Sequence, residues 1–127
     1  MVLPMTSDQI TQLNAALKVF FTAVHEWALT EDQASTLLDI SPSVYQQYKN
    51  GVMEDASQEL YERLALVSLI YGSLKQLYSD KNIGLWLKNP SQKDSPWKGV
   101  SPLDTMLTDH TGLVLVHTYL SQQKGDG

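Results

Sequence analysis

Along the chain, apolar residues recur every three or four positions and almost never alternate. In "SDQITQLNAALKVFFTAVHEWAL" the stripe runs through Ile10, Leu13, Leu17, Phe20 or Phe21, Val24 and Trp27. That period predicts an amphipathic helix. Ser7 is placed as its N-cap, and Asp8 suits the positive first turn. A second helix is expected at "EDQASTLLD", where Thr30 and Gln33 have the spacing of a capping box. A third starts at Ser41 as N-cap with Pro42 in the first position, and ends at Gly51. The longest helix runs from about Ser57 to Tyr78, with Leu60, Leu64, Val67, Tyr71, Leu74 and Tyr78 on one stripe. A short helix is expected at "NIGLWLK". The stretch "NPSQKDSPWKG", Asn89 to Gly99, then reads as a loop. "SPLDTML" restarts a helix with Ser101 as cap, Pro102 in the first turn and Asp104 in its third position. A last helix covers "GLVLVHTYLSQQ", capped by Asp109 or Thr111, and "KGDG" reads as a frayed end. Strand signals are nearly absent, so the fold class is all-α.

The segment "LLDISPSVYQQYKNG" has the form of a helix-turn-helix. Ala34 supplies the small residue where two helices cross, and Ile40 plugs the turn. Tyr45 and Tyr48 form the buried stripe of the second helix. Pro42, Ser43, Gln46, Gln47, Lys49 and Asn50 then face outward. Gln47 and Ser43 are placed to read bases, since glutamine bonds adenine through two contacts. Ser41 and Lys49 are placed to touch phosphates.

Charge changes that picture. The 127 residues carry net charge −5. Residues 1–62 hold two bases, Lys18 and Lys49, against nine acids, a net of −7. Residues 63–127 hold seven bases and five acids, a net of +2. Affinity for DNA rests mainly on cations displacing counterions from phosphates. The half with the DNA-reader form is the acidic half, so one protomer alone is expected to bind DNA weakly.

The second half carries a more distinctive pattern. Trp86, Leu87, Asn89 and Pro90 are followed by Gly99, Ser101, Pro102, Leu103, Asp104, Met106 and Leu107, then Val116, Tyr119 and Leu120. With residues 30–51 ahead of it, this order resembles antitoxins of the Xre/MbcA/ParS type. The resemblance covers about Leu60 to Lys124. It divides the chain into an Xre-like helix-turn-helix region, residues 1–56, and a toxin-binding region, residues 57–127. It implies a partner, commonly a RES-domain toxin that acts on NAD. The antitoxin's C-terminal end would lie at the mouth of the NAD pocket. It also implies repression of the protein's own operon, as a homodimer or in a hetero-oligomer with the toxin. Trp86, Asn89, Pro90, Gly99, Ser101, Pro102 and Leu103 are then structural. Tyr119, Leu120, Gln122, Gln123 and Lys124 are the expected blocking residues, with Val116 divided between a partner and the protein's own core.

The chain departs from the family pattern at Trp97, a large aromatic in the loop. It is either an interface anchor or a lid over Trp86. A helix apolar on more than one side, as Val114, Val116, Tyr119 and Leu120 imply, meets either a deep core or a partner.

Candidate chemistry is sparse. Without cysteine there are no disulfides or thiolate ligands. His110 and His117 are two turns apart, and no paired metal motif is present. No glycine-rich phosphate loop or nucleophile elbow occurs. No enzyme, metal or cofactor is expected. The start "MVLPMTSDQI" lacks the features of a signal peptide, and "LALVSLIYG" falls far short of the ~20 apolar residues that span a bilayer. A cytoplasmic protein is expected. Two other readings stay open: a stand-alone transcription regulator, and a helical adaptor with a relic helix-turn-helix.

Overall fold

The computed structural model describes residues 7–51, 57–90, 97 and 99–125, with side chains through residue 123. Every regular element among them is helical: α1 Ser7–Glu26, α2 Glu31–Leu38, α3 Pro42–Lys49, α4 Gln58–Leu77, α5 Asp80–Lys88, α6 Pro102–Thr108 and α7 His110–Gly125. The all-α expectation is met. Most of the Asn89–Gly99 loop, and Asp126 and Gly127 of the frayed end, lie outside the described residues.

The chain forms two compact units, Met1–Ala65 and Leu66–Gly127. The division falls inside α4, later than the expected break after residue 56.

In the first unit α1 buries Leu13, Leu17, Phe20 and Ala23, followed by Trp27 beyond its end. The periodic stripe found most of these. It also included Ile10, which is 43% exposed. Ser7 is already helical, so the expected cap position is the first residue of the helix. α2 starts as expected. The Thr30 hydroxyl accepts the Gln33 N–H, and the Gln33 side chain accepts the Thr30 N–H at 2.9 Å. α3 starts on Ser41, whose Oγ accepts the Val44 N–H at 3.2 Å, with Pro42 in the first turn.

Two helix ends have no glycine signal. Ala28 and Asp39 both adopt left-handed φ, 55° and 54°. After α1, the Leu29 N–H donates to the Val24 carbonyl and the Ala28 N–H to that of His25. After α2, Ile40 donates to Ser35, and Asp39 to Thr36. This is the paired bonding that glycine usually permits. Aspartate visits the left-handed region more readily than alanine does.

Arg63 of α4 is buried. Its Nη1 donates to the Leu37 carbonyl at 3.2 Å, and its guanidinium pairs with Glu59 one turn away, also at 3.2 Å. One of the unit's few cations is therefore consumed inside the fold.

The second unit buries Val67, Ile70 and Leu74 of α4, Ile83 and Leu87 of α5, Leu103 and Met106 of α6, and Leu113, Val116 and Leu120 of α7. α6 packs on both α5 and α7. Ser101 Oγ accepts the Asp104 N–H and caps α6. Asp109 Oδ1 accepts the Gly112 N–H at 2.8 Å, which settles the choice of cap for α7. The approach of α7 to α6 is so close at Gly112 that a Cβ there would lie 1.9 Å from the Thr105 carbonyl oxygen.

Candidate functional site

The candidate residues fall into two groups, one in each unit. The first is the outer face of α3. α2 packs on α3, with Ala34 and Ser35 buried on one helix and Tyr45 on the other. Ile40 and Tyr48 are half-buried beside them. Burial, and then the nearby Glu31 carboxylate, raise the Tyr45 phenol above its ordinary range. This packing turns Ser43, Gln47, Lys49 and Asn50 outward; Gln46 is half-buried. Ser41 is exposed, but its oxygen already serves as the cap of α3. Lys49 Nζ lies 3.5 Å from Glu31 Oε1, both side chains more than half exposed. The cation expected to meet a phosphate is thus shared with a carboxylate.

The second surface is built around four aromatic rings. Tyr78 follows α4, Trp86 sits in α5, Trp97 comes from the loop and Tyr119 from α7. Trp86 stacks on Tyr78 at 5.9 Å between centroids and on Tyr119 at 6.4 Å. Trp97 meets Trp86 edge-on at 5.9 Å and Tyr119 at 4.9 Å. Offset and edge-on rings at such distances stabilise beyond their buried area. Burial, with Tyr119 as the second cause, raises the Tyr78 phenol above its ordinary range.

The loop returns through a turn in which the Val100 N–H donates to the Trp97 carbonyl at 3.0 Å. Gly99 takes φ +78°, where a side chain would be strained. The sequence motif thus has a local explanation. Trp86 supplies the central ring, Asn89 and Pro90 follow the end of α5, and Gly99 turns the chain. Ser101 and Pro102 start α6, and Leu103 enters the core.

The expected partner-facing residues divide sharply. Val116 and Leu120 are 0% exposed and Trp97 is 5% exposed. They are core residues here, not surface anchors, because α7 is apolar on the sides that meet its own unit. Trp97 is the lid over Trp86. Its indole Nε1 is buried without a hydrogen-bond partner among the described residues. Tyr119 is half-buried in the ring cluster, while Gln122 and Gln123 are exposed at the end of α7. The Lys124 side chain lies outside the described residues. The spacing did not single out Leu85, which is 64% exposed on α5. Its neighbours one turn away, Lys81 and Lys88, are exposed too.

Among the described residues no group of three or more histidines and carboxylates could hold a metal ion, and no helix is long and apolar enough to cross a membrane. No protein-family model matches the chain, and no curated protein matches it.

Proposed function

We propose that the protein is an antitoxin that binds a RES-domain toxin and covers its NAD pocket with the end of α7. The observation that carries this reading is the ring cluster. It joins the residues that resemble the toxin-binding region into one module: Trp86, the Trp97–Gly99 turn and Tyr119. That module fixes the direction of α7 and leaves Gln122 and Gln123 outside the core. Preorganised polar groups at a helix end suit a plug, because little ordering entropy remains to be lost on binding. Exposed Leu85 between Lys81 and Lys88 offers an apolar contact with a basic rim on the same unit. The protein acts in the cytoplasm on this reading, in a hetero-oligomer with its toxin. Operator DNA is bound by that complex rather than by one chain, since Lys49 is the one cation on the outer face of α3 and is paired with Glu31.

The test is co-expression with the product of the adjacent gene. The full chain should restore growth and co-purify with it. A chain ending at Leu120 keeps every buried residue of α7 among the described ones and should retain its circular dichroism spectrum, yet fail to restore growth. A cut before Tyr119 would remove a cluster ring and a core leucine, and so would test folding instead. Full neutralisation by the chain ending at Leu120 would refute the plug. Absence of any toxic neighbour, with operator binding by the protein alone, would favour a stand-alone regulator.

A further inference from the structure

The first unit has a groove between α1 and α3, separate from the outward face of α3. It encloses about 630 Å³, within the usual range for small-molecule sites. Its apolar lining comes from Leu17 and Phe21, on successive turns of α1. Lys18 and Lys49 line it from the two helices, and Asn14, Thr22 and Tyr48 add polar groups. A second hollow of about 560 Å³ shares Phe21 and Lys49 with the first and continues along α1 past Val24 and His25.

The charge placement is what makes the groove specific. The unit holds three bases and nine acids. Arg63 is buried against Glu59, and the two remaining bases both line the groove. None of the unit's seven acids among the described residues lines either hollow. Lys18 has no carboxylate partner among the described residues, whereas Lys49 holds Glu31 only through an exposed 3.5 Å pair. Exposed pairs of this kind contribute little and are readily exchanged. Among the described residues the unit therefore has a concavity whose lining combines apolar side chains with two ammonium groups and no carboxylate.

We propose that this groove binds a small amphipathic organic anion, its apolar group against Leu17 and Phe21 and its carboxylate or sulfonate at Lys18 and Lys49. The site is independent of the toxin and of the antitoxin reading.

The experiment uses the full chain with two probes, anilinonaphthalene sulfonate and its uncharged parent phenylnaphthylamine, and with decanoate as competitor. The sulfonate should bind with one-site saturation, be displaced by decanoate, and shift the amide resonances of Asn14 and Thr22. Reversing both lysines, Lys18→Glu with Lys49→Glu, should weaken it about tenfold and leave the uncharged parent unchanged. Glu31→Gln should tighten it, because the competing carboxylate is gone. Both lysines are exposed, so the variants should keep the wild-type amide spectrum away from the groove. Sulfonate binding that ignores both lysines, or shifts that map elsewhere, would overturn the proposal, as would the absence of saturable binding.

Discussion

Replacing Gly112 by alanine tests the packing of the second unit at its tightest point. The added methyl carbon would meet the Thr105 carbonyl oxygen at 1.9 Å and its carbon at 2.9 Å. Both are backbone atoms, so no side chain can swing away; α6 and α7 must separate. Overpacking costs about 1–3 kcal/mol, and a backbone obstacle belongs at the upper end. Alanine is favoured over glycine in a helix by about 1 kcal/mol. The net loss is therefore about 2 kcal/mol. At roughly 4 °C per kcal/mol for a chain of this size, the thermal midpoint should fall by about 8 °C. Gly72 in α4 and Gly84 in α5 are the controls. Among the described residues nothing lies within 4 Å of a Cβ built at either, so alanine there should gain up to about 1 kcal/mol. Urea and thermal unfolding followed by circular dichroism give all three values. If Gly112→Ala matches or exceeds the wild type while the controls gain, the close approach of α7 to α6 is wrong.

Trp97→Ala should destabilise the protein by about 3–5 kcal/mol, as for a large buried aromatic, and weaken the near-ultraviolet dichroism of the ring cluster. Arg63→Met should cost about 1–3 kcal/mol in urea unfolding, because the buried Leu37 carbonyl loses its donor. Ala28→Gly should stabilise by about 1 kcal/mol, since glycine relieves the left-handed strain at φ 55°. The raised phenols of Tyr45 and Tyr78 set an alkaline limit. The folded tyrosines hold their protons at a pH where the unfolded ones release them, near ~10. Their contribution is thus complete below that pH and is lost as pH rises through the folded values. The urea midpoint should be lower at about pH 11 than at about pH 9, and Tyr78→Phe should lessen the fall.

The helix starts were the most legible part of the sequence. Thr30, Ser41 and Ser101 act as caps through one short side-chain bond each, a local event that spacing reports well. Helix ends were harder. Gly51 was readable, but the left-handed Ala28 and Asp39 carry no glycine to announce them. Periodicity also found Leu13, Leu17, Leu64 and Val67, yet could not say which side of α7 meets its own unit. Val116 read equally as surface or core, and Leu120 was expected at the partner surface, because both are simply apolar; tertiary packing puts both in the core. The ring cluster is a long-range arrangement of four segments, and only its Trp86 and Trp97 contact was among the sequence alternatives. The Lys49–Glu31 pair spans two helices whose relative position no spacing rule supplies.

The proposed role of the end of α7 is to cover an NAD pocket. It is tested most directly by the rate of NAD consumption by the product of the adjacent gene, with increasing full chain or with the chain ending at Leu120. Stoichiometric inhibition by the full chain, and loss of inhibition without residues 121–127, is the predicted result. NAD consumption unaffected by the full chain, or suppressed equally by both, would contradict it.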